Sequence, residues 1–303
     1  MMGSEAIDGT IRKYGLPIWI KPYVYEYVKR DPVKAIKYAA SFIEVGRKKG
    51  AITKKAIRLP NGHVFQKDEI MRILDLFYYG EERISRMSER WANESGNPDW
   101  EYTRHFREVA GVEARHARAI KNVMEGLGHK IEKPPKQFVE VFDFVENLTD
   151  CQERLITKRI VFWYSYRVSF GMVFYKVFYP VAPEFLRSLA KTFNMDRAKE
   201  ELLGDSEVER IIKSNQINSD RLMWLVRQTL ARIYNSIQAE KGLAKKAKVE
   251  REVQFLADIA IASPLHKLRE MGVELDVRDE LKGIKRLSQQ ILVKSAANQA
   301  NAL

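Results

Sequence analysis

Two acidic residues and one histidine are candidate metal ligands in the segment from Lys67 to Leu127. Glu81 lies among apolar residues that recur at helical spacing, and Glu113 and His116 form the pattern E-x-x-H on a second apolar stripe. Residues three apart on a helix share a face, so Glu113 and His116 would point in the same direction. Carboxylates and imidazole are ligand types that iron and manganese accept. The segment therefore predicts a metal site formed by Glu81, Glu113 and His116.

The two apolar stripes predict a pair of antiparallel helices. Between them, Ser95-Gly96-Asn97-Pro98 combines a helix-ending glycine, a capping asparagine and a proline suited to the first helical position. Glu81 lies about 15 residues before this turn and Glu113 about 17 after it, so at 1.5 Å per residue both are roughly 23 to 25 Å from it. We therefore expect the two carboxylates to lie side by side, at the same distance from the turn along the helix axes. Glu82 is a reserve candidate ligand. The stripes comprise Ile70, Ile73, Leu74, Phe77, Ile84 and Trp91, and Phe106, Val109, Ala110, Ala117, Ile120 and Met124.

The same residues also have a purely structural interpretation, without a metal ion. The pattern E-x-x-H arises readily by chance in a chain this rich in acidic residues, so its position on an apolar face carries the argument. In the structural interpretation, Glu81 and Glu113 pair with arginine or lysine and His116 is a hydrogen-bonded core histidine. A buried carboxylate costs free energy unless it is paired or bound to a metal ion, so both interpretations explain the pattern.

An isolated core glutamate, a helical hairpin and then E-x-x-H resembles the first half of the ferritin-like di-iron carboxylate superfamily, which includes rubrerythrins and ribonucleotide reductase small subunits. The resemblance covers roughly residues 67 to 160. It implies an all-α protein, a ferritin-like four-helix bundle with extra N- and C-terminal helices. It also implies a third-helix carboxylate, which Glu153 matches by its distance downstream of His116. The alternative for Glu153 is a solvated acidic face that pairs with Lys158 and Arg159.

The second E-x-x-H of that superfamily is absent from this sequence. Arg187 stands where a histidine should follow Glu184, and the plausible substitutes Glu207 and Glu209 bring no histidine. His266 is a late candidate for the missing imidazole, on a short segment after the point where Ser263-Pro264 is predicted to end a helix. Because this motif is missing, the sequence is compatible with a mononuclear or degenerate metal centre as well as with a di-metal centre.

Three regions are expected along the chain. Residues 1–66 form a basic N-terminal extension with one helix beginning at Asp31-Pro32 and a short β-hairpin around Pro60-Asn61-Gly62. Residues 67–215 form the ferritin-like bundle and include a long segment from Lys136 to about Tyr179. Residues 216–303 form C-terminal helices packed on the bundle, and the last twenty residues are expected to be a frayed tail.

The aromatic run over residues 160–179 raises the question of a membrane span. Arg167 and Lys176 would each cost about 2.5 to 3.5 kcal/mol inside a bilayer, so a buried central helix is the better interpretation. The single Cys151 excludes an intrachain disulfide, and the first residues lack the basic start and apolar run of a signal peptide. We therefore predict a cytoplasmic protein without a membrane span.

Two functional hypotheses from different classes follow. In the first, the protein is an iron- or manganese-dependent oxidoreductase or oxygenase, with one or two metal ions and an apolar small-molecule substrate beside the aromatic run. In the second, it is a non-catalytic basic helical protein with a degenerate metal site. The protein would then bind a nucleic acid or the ribosome by means of its net charge of +12, through the N-terminal basic stretch and Lys282-Gly-Ile-Lys-Arg. A homodimer is compatible with either hypothesis.

Overall fold

The computed structural model describes residues 52–53, 56–58, 64–65, 67–94, 100–164, 204–246 and 250–300. Within these ranges the chain is helical apart from three short strands and the connections between elements. The prediction of an all-α protein is therefore confirmed. No helix among the described residues is long and apolar enough to cross a membrane.

The helices are named here in chain order. They are α1 (Lys67–Asn93), α2 (Trp100–Gly126), α3 (Lys136–Glu146), α4 (Cys151–Tyr164), α5 (204–213), α6 (Ser219–Ala239), α7 (Lys241–Lys246), α8 (Glu250–Glu270) and α9 (Val277–Ala300). Before them lie the strands β1 (Ile52–Thr53), β2 (Ala56–Arg58) and β3 (Val64–Phe65), which pair antiparallel in that order. Strands β2 and β3 flank the residues where the sequence predicts a hairpin. The helix predicted at Asp31-Pro32 and the basic residues before Ile52 lie outside the described residues.

Helices α1 and α2 pack against each other as an antiparallel pair. Trp91 meets Phe106 edge to face with ring centroids 5.1 Å apart, and the Ser85 hydroxyl donates a hydrogen bond to the Ala110 carbonyl at 2.9 Å. Residue numbers fall along α1 as they rise along α2, as the predicted hairpin requires. The turn residues 95–99 themselves lie outside the described ranges.

The segment after Lys136 is two helices rather than one long segment. Helix α3 ends at Glu146, and α4 begins at Cys151. The Asp150 carboxylate accepts a hydrogen bond from the Glu153 backbone N–H at 3.0 Å, which caps the start of α4. Periodicity alone missed this break because apolar residues continue on both sides of it. The aromatic run is described only as far as Tyr164.

The C-terminal helices share one core with the first helices. Helix α6 contacts α3, α4, α8 and α9, and buried residues of α1, α4, α6, α8 and α9 form one continuous apolar cluster. Pro264 lies inside α8, so the prediction that it ends the helix is wrong. Its buried neighbours Ile261, Leu265 and Leu268 pack into the core, which compensates for the lost backbone hydrogen bond. Helix α9 runs to Ala300, where the sequence predicts a frayed tail.

Gly204 provides a test of the packing between α4 and α5. A Cβ at this position would lie 2.6 Å from Nη1 of Arg159, whose guanidinium is held by Asp205 at 2.7 Å and lies 4.1 Å from the Phe162 ring centre. We expect Gly204→Ala to lower the free energy of unfolding by roughly 1–3 kcal/mol, because the buried guanidinium must shift. Urea unfolding measures the change.

The matched control is Gly283→Ala within α9, where an added Cβ would meet nothing within 4 Å. That substitution should raise the free energy of unfolding by roughly 0.5–1 kcal/mol, since alanine favours a helix interior over glycine. A Gly204→Ala protein as stable as the wild type would contradict the close packing of Arg159.

Candidate metal centre

Helices α1 and α2 bring Glu81, Glu113 and His116 into one buried group. Each residue offers a ligand atom, and the three atoms lie within 4.8 Å of one another. The exposed fractions of the residues are 7%, 3% and 0%, respectively. Glu81 is presented by α1, and Glu113 and His116 lie one turn apart on the facing side of α2. The structure thus places together the three residues that the sequence predicts from the two helices.

The distances from the imidazole to the two carboxylates are compatible with ligands of a single ion as well as with hydrogen bonds. Nδ1 of His116 lies 3.2 Å from Oε2 of Glu113 and 3.4 Å from Oε2 of Glu81. Two ligands bound at about 2.1 Å are about 3.0 Å apart at a right angle and about 3.4 Å apart at a tetrahedral angle. Both distances from Nδ1 fall in that interval. A buried group of two carboxylates and one imidazole could therefore hold a metal ion.

Among the residues that the structure describes, no arginine or lysine pairs with either carboxylate of the group. Within the described ranges, the polar partners of Glu81 and Glu113 are His116 and each other. One half of the structural interpretation, in which arginine or lysine neutralises both acids, is therefore not seen in this part of the chain. Its other half is seen, because His116 is a buried histidine within hydrogen-bond distance of both acids. Two acids facing one imidazole would carry an excess negative charge if both were ionised, and such a charge is costly in a core.

The pKa values of the group show how protons respond to this arrangement. Burial alone would lower the pKa of His116, but the hydrogen bonds and charges of Glu113 and Glu81 outweigh it and raise the pKa to about 10. Burial and the neighbouring Glu81 raise the pKa of Glu113 to about 8, against the opposing effect of His116. Both shifts retain protons in the group at neutral pH. A bound cation would replace those protons, because metal ligands must be deprotonated.

Glu153 does not join the group. Its carboxylate forms a two-pronged ion pair with Arg221 of α6, with distances of 2.5 Å and 2.8 Å. Glu153 lies in the first turn of α4 on the side that faces α6, so it is directed towards that arginine. The third-helix carboxylate implied by the superfamily resemblance is thus occupied in a salt bridge, and its partner is neither Lys158 nor Arg159.

The remaining candidates also lie away from the group. Glu82 pairs with Arg86 at 2.7 Å, and Glu209 pairs with Lys213 at 2.6 Å. Nδ1 of His266 lies 3.4 Å from a guanidinium nitrogen of Arg269 on the same helix. Glu184 lies outside the described residues.

A second, partly buried polar cluster was not predicted from the sequence. Nε2 of His105 lies 3.3 Å from Nζ of Lys158, and Nδ1 lies 3.4 Å from Oε2 of Glu207. Burial and the charges of Lys158 and Arg159 lower the pKa of His105 to about 2, so the imidazole is neutral. A neutral ring that accepts from the ammonium at Nε2 carries its proton on Nδ1, facing Glu207. One signal was available, since His105 precedes His116 by about three helical turns and so lies on the same side of α2.

The lowered pKa of His105 makes the free energy of unfolding depend on pH. The unfolded chain, with a histidine pKa near 6.5, binds more protons than the folded chain between about pH 2 and 6.5. The free energy of unfolding should therefore fall as the pH falls through this range. His105→Gln should flatten that slope in urea unfolding measured from pH 4 to 7. An unchanged slope would contradict a buried neutral imidazole at this position.

Comparison with known proteins found no relative of this chain. No protein-family model, no curated protein and no solved structure matches the chain. The resemblance to the ferritin-like superfamily therefore stays a prediction based on the arrangement of its own residues.

Proposed function

We propose that this protein is a metalloprotein that binds iron or manganese through Glu81, Glu113 and His116. The observation that supports this proposal is the convergence of three buried ligand atoms within 4.8 Å, with both carboxylates unpaired to arginine or lysine in the described ranges. Two hard oxygens and one borderline nitrogen form a donor set that Fe²⁺ and Mn²⁺ accept. A cation in the group would satisfy both carboxylates at once.

The donor set favours a reactive centre over a purely structural one. Three protein ligands leave further coordination positions for water or substrate, as in catalytic rather than structural metal sites. Bound iron or manganese supplies one-electron chemistry towards dioxygen or peroxide, which is the basis for proposing an oxidoreductase or oxygenase. The chain contributes a fixed ligand geometry from two packed helices and a site closed to bulk water.

Apolar side chains flank Glu81 along α1. Phe77 lies one turn before Glu81 and Ile84 one turn after it, and both are partly buried against the core. The apolar substrate is the part of the proposal that is based on this environment. The described part of the aromatic run packs in the core, with Ile160 and Trp163 fully buried.

The alternative function, binding of a nucleic acid or the ribosome, receives less support from the described residues. In the segment Lys282-Gly-Ile-Lys-Arg of α9, Lys282 pairs with Asp279 at 2.7 Å and Lys285 pairs with Asp258 at 2.8 Å. Both lysines would have to give up these partners to contact phosphate groups. The N-terminal basic stretch lies outside the described residues, so the net charge of +12 is what remains of that hypothesis.

Metal content tests the proposal directly. Metal-free protein reconstituted anaerobically with Fe²⁺ or Mn²⁺ and then desalted should retain about one ion per chain in elemental analysis, since one group of three ligands fits one ion. The double variant Glu113→Gln and His116→Gln removes two of the three ligands. Its affinity should fall by more than the roughly 10- to 100-fold that the loss of an outer-shell partner costs.

Glu153→Gln is the matched control, because its carboxylate contacts Arg221 rather than the group. This variant should retain the metal content of the wild type. A wild-type protein that holds no metal after reconstitution would overturn the proposal. An equal loss in Glu153→Gln and in the double variant would place the site elsewhere.

A further inference from the structure

Besides the contacts within the metal group itself, a hydrogen bond joins α1 to α2 one helical turn away from Glu81. The Ser85 hydroxyl donates to the backbone carbonyl of Ala110 at 2.9 Å in a partly buried position. A serine side chain is short, so the contact requires the two helices to approach closely at this height. Because it joins a side chain of one helix to the backbone of the other, it restricts sliding as well as separation.

The height of this hydrogen bond determines which residues of α2 face Glu81. Glu81 precedes Ser85 by four residues, which is about 6 Å along the helix axis. In an antiparallel pair, the same height on α2 lies four residues beyond Ala110, at Ala114. That position falls between Glu113 and His116. The register fixed by Ser85 therefore places the Glu81 carboxylate midway between the two ligands of α2.

Apolar packing alone would specify this register less sharply. The hydrophobic effect is non-directional, whereas a hydrogen bond weakens steeply when its distance or angle changes. A slip of one residue would move Glu81 by about 1.5 Å along the axis. Functional sites need their groups held within about 0.5 Å of the productive geometry. A small slip would thus lengthen the 3.4 Å distance from Glu81 to His116 and open the group.

We propose that Ser85 is a positioning residue of the metal centre, which sets the height of Glu81 relative to Glu113 and His116 through its hydrogen bond to Ala110. This inference rests on the proposed metal centre, because it assigns Ser85 a role in assembling that site. It also makes a claim about the metal-free protein, where the same register brings Glu81 to His116.

The first measurement uses Co²⁺ as a spectroscopic probe in Ser85→Ala, Ser85→Thr and wild-type protein. Ser85→Ala should change the visible absorption of bound Co²⁺ and weaken its affinity on the order of 10-fold, at the low end of outer-shell effects. Ser85→Thr keeps the hydroxyl and should restore both. The control is Ser236→Ala in α6, which removes a buried hydroxyl that donates to the Ile233 carbonyl at 2.7 Å far along the chain. It should leave the Co²⁺ spectrum unchanged.

The second measurement needs no metal and separates this inference from the proposed function. The imidazole nitrogen resonances of His116 at a fixed pH should shift in metal-free Ser85→Ala, return in Ser85→Thr and stay unchanged in Ser236→Ala. Resonances identical to the wild type in Ser85→Ala would overturn the positioning role, whatever the metal result. A wild-type protein that binds no Co²⁺, with the expected shifts in Ser85→Ala, would support the register and refute only the metal centre.

Discussion

The buried contact between two carboxylates and one imidazole is the constraint on which the α1–α2 pair depends. Ionised acids in a core cost several kcal/mol unless something neutralises them. In the described ranges, the partner that faces both acids is His116. Burial and Glu81 raise the pKa of Glu113, and the two carboxylates raise the pKa of His116, so both residues favour their protonated forms.

Elsewhere, two buried arginines pair with acids that are more exposed than the arginines are. Arg159 pairs with Asp205 at 2.5 Å, and Arg154 is held between Glu94 and Tyr102 near the end of the α1–α2 pair. Both guanidinium groups are buried, so this fold can bury an arginine where an acid needs one. Glu81 and Glu113 lie in the same helical core without such a partner among the described residues. Of the other buried acids in the described ranges, Asp258 pairs with Lys285 at 2.8 Å and Asp75 pairs with His129 at 3.0 Å. The group differs from both because two carboxylates face one imidazole.

The sequence predicted the parts of this arrangement that depend on local geometry. Helical periodicity and the position of the turn were sufficient to predict that Glu81 and Glu113 lie at the same distance from the turn, because a helix rises 1.5 Å per residue. The partner of Glu153 could not be predicted in this way, since Arg221 follows it by 68 residues and meets it only through the packing of α6 on α4. The helix through Pro264 was missed for the same reason, because tertiary packing outweighed a local breaking signal.

The charge of the group also bears on how many ions it can hold. Two ionised carboxylates and a neutral imidazole carry two negative charges, which one divalent cation neutralises completely. A second divalent ion would add two positive charges to a buried site, and within the described ranges Glu153 and Glu209 are paired with Arg221 and Lys213 instead. The absent second E-x-x-H and this charge balance point in the same direction. A single ion is therefore the occupancy that the described residues can neutralise, which sets the proposed centre apart from the paired-ion sites that its sequence resembles.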